Sequence, residues 1–352
     1  MFLKLLLFMQ FYSYEAINCS WGYRFDSEYN HFNLVYPDRN AVYFGFIIPQ
    51  ETTNITITNS VSIKTDISTH PVASYFSVQI YNINDLVKPS YHWIDIDIMD
   101  NVNKLMDLHA SYTKTMILDS KNSYFALFRI YNSLLNKKTK KNENNDTLYW
   151  SGLPPKTYIN SYEYPLCDIQ YDKRNMMYSN ISNEINPETG TICTTNNEFV
   201  FMVIPEGSLT NSDANYMIAC INPNTKYRIN VKMPQIMCSV GYTADEARPW
   251  INETYDLRYA SMNVESTMSP RPTVESYVIP CDVEDYELEV YVGDDVPFPG
   301  LLYRQMLPNP EFKYSIEHAR QKCYKHADKK YDIACVKKQM GDYYPFLTII
   351  SV

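Results

Sequence analysis

The sequence has few glycines and lacks the common catalytic motifs. Only 9 of its 352 residues are glycine, and they form no phosphate-binding loop or dinucleotide-binding fingerprint. Gly-x-Ser-x-Gly, His-Glu-x-x-His and a Cys-Gly-Ser-Cys signature are absent as well. The sequence therefore does not point to a nucleotide-binding protein or to a hydrolase of those classes, and no cofactor and no metal ion is expected.

The sequence also lacks an excess of basic residues. Its formal net charge is −9 at pH 7, whereas binding to phosphate backbones requires a basic surface. A nucleic-acid partner is therefore not expected. Six histidines and many carboxylates remain as acid–base candidates, but no spacing selects a catalytic set among them.

A long apolar run is missing beyond the N-terminus, so no membrane span is expected in the mature chain. Residues 1–11 contain one lysine followed by a short apolar run. Such a run is too short to cross a bilayer and is typical of a secretory signal, with cleavage after Ala16. We expect a chain that is secreted or held in the lumen of the secretory pathway, with a virion or cell surface as a destination.

Cysteines and glycosylation sequons agree with the expected location in the secretory pathway. The eight cysteines are an even number that suits four disulfides in an oxidising compartment, with connectivity left open; they are Cys19, Cys167, Cys193, Cys220, Cys238, Cys281, Cys323 and Cys335. Five Asn-x-Ser/Thr sequons predict N-glycosylation. They are Asn18, Asn54, Asn145, Asn180 and Asn252.

Tyrosine is abundant, and four segments of the first half return in the second half in the same order. The 32 tyrosines lie in β-branched, alternating segments that favour strands. The matched pairs are Asp38–Ile48 with Asp213–Cys220, Ile55–Thr58 with Tyr227–Val231, Ser74–Ile80 with Arg258–Val264, and Tyr112–Tyr131 with Tyr286–Met306. We interpret this as an internal duplication. The predicted fold is mainly β, with two related β-sandwich- or jelly-roll-like units and a short helical C-terminal segment held by a disulfide.

This duplication predicts five regions. Residues 1–16 are the signal peptide, 17–147 the first β unit, 148–198 an irregular connector, 199–306 the second β unit and 307–352 the helical tail. In the tail, Ser315–Asp328 has helical composition, with Ile316, Ala319 and Cys323 on one face. A Cys323–Cys335 disulfide is expected there, and the alternative is a zinc site that adds His318 and His326 to these two cysteines.

Candidate binding residues follow from the same alignment. Arg129 and Arg304 occupy equivalent strand positions, with Tyr131 and Tyr303 beside them. They form either a symmetric ligand-binding pair or two buried arginines that each pair with a carboxylate. Asp95 and Asp97 share one face of an alternating segment, either as a solvated strand face or as a cation site.

Several segments resemble an uncharacterised family of secreted or exported proteins from bacteria, marine algae and large DNA viruses of algae. They are Tyr36–Tyr43, Ala73–Ser77 with Ile80 and Tyr81, Phe128–Tyr131, Ser151–Pro155, Leu257–Ser261 and Met340–Pro345. The resemblance implies a β-rich exported protein and no particular reaction. Some relatives carry an aromatic residue and a cysteine where this chain has Ala260 and Met262, so its cysteine pattern is its own.

Three functions are compatible with these features. The first is a non-enzymatic, disulfide-bonded surface or virion-associated glycoprotein that binds a glycan or a protein. The second is a secreted carbohydrate-active hydrolase or lyase with a cleft between the two units. The third is a structural component of a larger assembly. The sequence selects no oligomeric state.

Overall fold

The computed structural model describes residues 19–25, 38, 41–62, 73–85, 88–93, 109–132, 154–167, 197–202, 211–236, 256–267, 273–279, 283–296, 298–325 and 330–350. The chain divides into two units. The first consists of Met1–Glu184, Glu206–Asn211 and Ser239–Ile251, and the second of Ile185–Pro205, Ser212–Cys238 and Asn252–Val352. Both are mainly β, as the sequence predicts.

The first unit contains two antiparallel sheets, of five and four strands. Its strands are β1 (Tyr23–Phe25), β2 (Ala41–Ile48), β3 (Asn54–Ser62), β4 (Ala73–Asn82), β5 (Tyr91–Trp93), β6 (His109–Ile117), β7 (Tyr124–Asn132), β8 (Lys156–Ile159) and β9 (Tyr162–Tyr164). The five-stranded sheet, which we call the inner sheet, has the order β1-β2-β7-β4-β5. The four-stranded sheet, which we call the outer sheet, has the order β6-β3-β8-β9.

Trp21 joins the two sheets of the first unit. Its ring is fully buried and packs edge-on against Phe46 of β2, with the centroids 4.8 Å apart. Its indole N–H donates to the carbonyl of Pro155 at 2.7 Å, next to β8. A buried tryptophan stabilises a core most when its N–H has a hydrogen-bond partner. Trp21 therefore stabilises the contact between the two sheets.

The second unit repeats this plan. Its strands are β10 (Val200–Phe201), β11 (Ala214–Cys220), β12 (Thr225–Lys232), β13 (Tyr259–Ser266), β14 (Thr273–Val278), β15 (Asp285–Val292), β16 (Pro299–Met306), the short pair β17 (Tyr324–Lys325) and β18 (Lys330–Tyr331), and β19 (Phe346–Ile350). The inner sheet has the order β10-β11-β16-β13-β14, and the outer sheet has the order β15-β12-β19. Apolar residues of both sheets share one core, including Met217, Met262, Ile229 and Val290.

Strand order and register agree with the internal duplication at single-residue resolution. Arg129 of β7 lies opposite Tyr43 of β2 and Ser77 of β4. Arg304 of β16 likewise lies opposite Tyr216 of β11 and Ser261 of β13. Each inner sheet therefore contains a Tyr-Arg-Ser row across its three central strands.

A size exchange at one pair of equivalent positions supports the same alignment. In the first unit a Cβ on Gly45 would lie 2.4 Å from Cζ of Phe125. Gly45 corresponds to Ile218 in the second unit, and Phe125 corresponds to Gly300. A Cβ on Gly300 would lie 2.7 Å from Cγ2 of Thr267 and 3.2 Å from Cδ1 of Ile218. The large side chain has moved to the neighbouring strand, so each unit fills the same space.

The C-terminal segment contains the expected helix and a second one. Helix α1 (Ile316–Cys323) begins at Ser315, whose hydroxyl accepts from the backbone N–H of His318 at 3.1 Å. It buries Ile316, Ala319 and Cys323, as its pattern predicts. Helix α2 (Ile333–Met340) begins at Asp332 and is followed by a 3₁₀ turn over Gly341–Tyr343. The predicted Cys323–Cys335 disulfide joins the two helices.

Strands also occur outside the two regions that contain the duplicated segments. β8 and β9 lie in the segment predicted to be an irregular connector, and β8 pairs with β3. β19 lies in the segment predicted as a helical tail and pairs with β12. Asn160 and Ser161, both with positive φ, form the two-residue turn between β8 and β9 without a glycine, so the usual hairpin signal is missing from the sequence.

Candidate functional site

The Tyr-Arg-Ser row of the first unit belongs to a buried polar network. Gln79 is its centre: its side-chain oxygen accepts from Nη1 of Arg129 and from the hydroxyl of Tyr81, both at 2.5 Å. Its amide nitrogen donates to Oδ1 of Asn211 at 3.0 Å, and the hydroxyl of Tyr75 donates to the same oxygen at 3.0 Å. Gln79 and Tyr81 follow Tyr75 and Ser77 at every second position of β4, which places them on one face of the sheet.

Arg129 is held inside this network as a cation. Its side chain is 1% exposed, and its guanidinium carbon lies 5.7 Å from the centre of the Tyr81 ring. Burial acts to lower the pKa of Arg129, but the nearby oxygens of Tyr81, Tyr75 and Tyr131 raise it, and the net pKa lies above the ordinary value. The guanidinium is therefore charged at any pH at which the protein is folded, and it orients the surrounding phenols.

The corresponding row of the second unit is buried as well, with different neighbours. Arg304 is fully buried, and its guanidinium carbon lies 5.3 Å from the centre of the Tyr216 ring. The position of Gln79 is taken by Asn263 and that of Tyr81 by Glu265, both fully buried. Asn263 donates to Glu265 at 3.3 Å. The duplication thus retains a polar row and replaces a phenol with a carboxylate.

The two predicted tyrosines do not occupy equivalent places. Tyr131 lies two residues from Arg129, on the same face of β7, and its hydroxyl lies 3.0 Å from the hydroxyl of Tyr43. Tyr303 is adjacent to Arg304, so it points to the opposite face of β16, into the core of the second unit. Burial raises the pKa of Tyr303 to about 12, and a hydrogen bond from Gln305 acts in the opposite direction.

All four predicted ligand-binding residues are 0–1% exposed. The structure therefore gives them contacts inside each unit. Ligand binding at these residues stays a prediction. Gln79 and Asn211, which connect the network, carried no signal in the sequence, because neither belongs to a motif.

The exposed face of the outer sheet of the second unit carries a row of ion pairs, which we call the ionic ladder. No motif in the sequence indicates it. Arg228 of β12 contacts Glu289 of β15 at 2.6 Å and Glu287 at 3.4 Å, and Lys226 contacts Glu289 at 2.5 Å. These hydrogen bonds, that of Lys226 first and that of Arg228 second, lower the pKa of Glu289. The alternation of Lys226, Arg228 and Asn230 with buried residues was the available signal.

Aromatic side chains are exposed in both units. Tyr291 of β15 is 60% exposed, and its hydroxyl donates to Asn224 at 3.3 Å, which fixes the ring beside Lys226. Tyr162 in the first unit is 80% exposed, and Tyr314 in the second unit is 48% exposed and stacks on Tyr343. Other tyrosines instead fill the sheets, as the buried Tyr43, Tyr75 and Tyr227 do.

The disulfides of the described residues have the chemistry expected of an oxidising compartment. Cys19 is bonded to Cys167 and Cys323 to Cys335. Cys220 is also disulfide-bonded, and no cysteine in the described ranges is free. Because Cys323 and Cys335 are bonded to each other, their sulfurs are not available to the zinc site considered above. Cys193, Cys238 and Cys281 lie outside the described residues.

Of the remaining predicted sites, Asn54 alone falls on described residues. It begins β3 and is half-buried, and its side-chain amide donates to the hydroxyl of Thr53 at 3.3 Å. The other four sequons, residues 1–16, and the pair Asp95 and Asp97 lie outside the described residues. Within the described ranges, no group of three or more histidine, cysteine or acidic residues is placed to hold a metal ion. The helices described here are too short or too polar to cross a membrane.

Comparisons with known proteins give no family. No family model matches the sequence, and no curated protein does. An uncharacterised protein from Burkholderia cenocepacia matches 87% of this chain and 83% of its own length at 8% identity, with a TM-score of 0.43. The tandem CBM22 domains of Xyn10C from Paenibacillus barcinonensis cover 90% of this chain and 88% of their own length at 8% identity (TM-score 0.18). The ANX1 ectodomain from Arabidopsis thaliana covers 75% and 77% at 9% identity (TM-score 0.16). At TM-scores below 0.5 these likenesses carry no functional argument.

Proposed function

We propose that the chain is an exported, disulfide-bonded protein that binds a glycan or a protein at its surface and catalyses no reaction. The observation that carries this proposal is the burial of the duplicated polar row. Arg129 and Arg304, the polar residues that the duplication repeats, are 1% and 0% exposed. Polar groups enclosed in this way rigidify the fold, and their burial gives a substrate no access to them in this structure.

The exposed faces support binding because they differ between the units, whereas the strand order and the Tyr-Arg-Ser row are shared. At equivalent positions of the outer sheets, the first unit has hydroxyl pairs, Thr56 with Thr115 at 2.8 Å and Thr58 with Thr113 at 3.0 Å. The second unit has the ladder of Arg228 with Glu289 and Glu287. Surface divergence on a repeated scaffold is the pattern expected when each copy contacts a different ligand.

The proposed contact groups are the exposed tyrosines, because a phenol ring can stack on a sugar or pack against a protein at little cost in conformational entropy. A glycan array with the full-length protein, combined with a screen of polysaccharides for released reducing sugar, tests both halves of the proposal. We expect binding without release. Reproducible release of reducing sugar contradicts the non-enzymatic assignment.

Three single variants locate the binding surface. We expect Tyr291→Ala, Tyr162→Ala or Tyr314→Ala to weaken binding about tenfold where the ring contacts the ligand. The melting temperature should be unchanged in Tyr291→Ala and Tyr162→Ala, whose rings are mostly exposed. Ile117→Ala removes a side chain that is 69% exposed and not aromatic, and it serves as the control. Equal binding by all four variants would contradict a tyrosine-based contact.

Export and glycosylation are tested in a eukaryotic host. The proposal predicts secreted protein whose mobility increases after glycosidase treatment, and Asn54→Gln is expected to remove one step of that shift. A chain that stays in the cytosol, or that shows no shift, contradicts the assignment to the secretory pathway. Surface attachment on a virion or a cell is part of the same proposal, and fractionation of the producing host tests it.

A further inference from the structure

The outer sheets of the two units differ by one strand. β8 and β19 occupy the same position: Ile159 lies opposite Ile55 of β3, and Ile349 lies opposite Tyr227 of β12. In the first unit β9 covers the far side of β8, with Tyr162 opposite Ile159. Among the residues that the structure describes, β19 pairs with β12 and with no strand on its other side. Within the described residues, β19 is therefore an edge strand, whereas its counterpart β8 is covered by β9.

This edge also lacks the charges by which proteins usually prevent strands from pairing. The other three edges of the outer sheets carry exposed charged residues: Lys114 on β6, Glu163 on β9, and Asp285, Glu287 and Glu289 on β15. β19, Phe-Leu-Thr-Ile-Ile, contains none. Its Phe346 is 49% exposed and its Ile349 is 58% exposed.

The backbone of β19 has hydrogen-bonding groups directed at this side. Met233 donates to Glu284 across the β12–β15 pair, so odd-numbered residues of β12 face β15 and even-numbered ones face β19. The hydroxyl of Thr348 donates to the carbonyl of Arg228, which agrees. Phe346, Thr348 and Ile350 therefore direct their N–H and C=O groups at β12. Leu347 and Ile349 direct theirs outward.

We propose that this edge binds β19 of a second copy of the chain. The strand is self-complementary about Thr348. An antiparallel pair with a two-fold axis at this residue sets Leu347 opposite Ile349 of the other copy, and the outward groups of these residues then form four hydrogen bonds. Phe346 meets Ile350, and Thr348 meets Thr348, on the exposed face. Aromatic–β-branched and Thr–Thr pairs are both favourable across strands.

The result is a six-stranded sheet, β15-β12-β19 continued into the same three strands of the other copy in reverse order. An isologous contact of this kind closes after two copies and leaves charged β15 strands at both ends. Only five residues per chain take part, so we expect a concentration-dependent dimer. The proposal does not depend on which ligand the tyrosines bind.

Sedimentation velocity over a concentration series tests the association. We expect wild-type protein to form a dimer and Ile349→Lys to raise the dimer dissociation constant at least tenfold, because it places a charge at the outward-facing edge. The matched control is Ile117→Lys, the same change at an exposed residue of edge strand β6, which should leave the constant unchanged. A monomer at all concentrations up to about 100 μM, or a dimer insensitive to Ile349→Lys, would overturn the proposal.

A cross-link tests the register. Residues at a non-hydrogen-bonded antiparallel position lie about 4.5 Å apart at Cα, within disulfide reach. Thr348→Cys should therefore yield a covalent dimer under mild oxidation. Thr113→Cys, an exposed threonine on β6, should remain monomeric. Equal cross-linking of both variants, or none in Thr348→Cys when the wild type dimerises, contradicts pairing about Thr348.

Discussion

At the residue scale, Gln79 is the side chain that connects the buried polar network of the first unit. It satisfies a buried cation and a buried phenol with one oxygen, and it reaches Asn211 with its amide nitrogen. Leucine is apolar and has none of these groups. Replacing Gln79 with leucine therefore removes hydrogen bonds from three enclosed polar groups and leaves the space of the terminal amide partly unfilled.

We expect Gln79→Leu to lower the free energy of unfolding of the first unit by about 3 kcal/mol, since loss of a bond to a buried charged group costs more than an ordinary hydrogen bond. Chemical denaturation measures this. The control is Gln50→Leu, whose side chain donates to Ser123 on the exposed surface and whose change should stay within about 0.5 kcal/mol. Equal effects of the two variants would show that the network adds no stability.

Tyr303 provides a pH signature of burial in the second unit. Its pKa rises from the ordinary 10.0 to about 12, so the folded state favours the neutral phenol. The resulting contribution of Tyr303 to the free energy of unfolding is fully present below pH 10, the pKa of the unfolded state, and is lost as the pH rises through about 12. Its size is about 3 kcal/mol.

Tyr303→Phe should flatten the decline in melting temperature between pH 10 and 12. At pH 7 it should cost about 1 kcal/mol, because Gln305 loses its acceptor. Tyr291→Phe, at an exposed ring, is the control and should leave the alkaline decline unchanged. A decline that is equally steep in Tyr303→Phe would place its cause in other groups.

The sequence located Arg129 and Arg304 correctly because a strand row repeats in register, and an alignment reads such a repeat directly. It grouped Tyr303 with Arg304, although adjacent residues of a strand point to opposite faces. This difference in orientation could be read from the period of two, and ligand binding at Tyr303 stays a prediction. The roles of Gln79 and Asn211 were not predictable, because they arise from contacts between residues 132 positions apart.

At the element scale, the two inner sheets place a glycine and a large side chain on opposite strands of the same pair of neighbours. Gly45 leaves room for Phe125 in the first unit, and Gly300 leaves room for Ile218 in the second. The pairs Gly45–Phe125 and Ile218–Gly300 occupy the same diagonal across β2–β7 and β11–β16. We therefore expect substitutions at the two positions of a pair to be energetically coupled.

A double-mutant cycle measures this coupling. Gly45→Ala should cost about 2 kcal/mol, because its Cβ would overlap the Phe125 ring. Phe125→Leu shortens the side chain and removes Cζ. In the double variant we expect the cost to fall at least about 1 kcal/mol below the sum of the single changes. Additive losses, determined by chemical denaturation, would contradict the shared-space interpretation.

The strands that the sequence did not yield lie outside the repeated segments. β8, β9 and β19 belong to the outer sheets but lie outside the duplicated segments of the sequence. An alignment of the two halves therefore could not identify them as strands. β19 nevertheless had a local signal, a β-branched run after Pro345. Helix α2 likewise had one, Asp332 as a cap before Ile333. Both are short, and the helix at Ile316–Cys323 was the stronger pattern.

At the scale of the whole molecule, the two described disulfide pairs differ mainly in the length of chain that they enclose. Cys19 and Cys167 are 148 residues apart, and the loop between them contains the nine strands that the structure describes in the first unit. Cys323 and Cys335 are 12 residues apart and join two helices of the second unit. The first bond encloses most of the first unit, and the second constrains one local motif.

The unfolded-state entropy removed by a cross-link grows with the logarithm of loop length, which gives about 5 kcal/mol for the long loop and about 3 kcal/mol for the short one. Replacing both cysteines of each pair with serine should therefore destabilise the first unit by about 2 kcal/mol more than the second. Hydrogen exchange read by mass spectrometry measures each unit's own opening free energy in one sample, so each variant's unaltered unit is its internal control. Equal losses would mean that native-state contacts around each sulfur pair, and not the length of chain enclosed, determine what the bonds contribute.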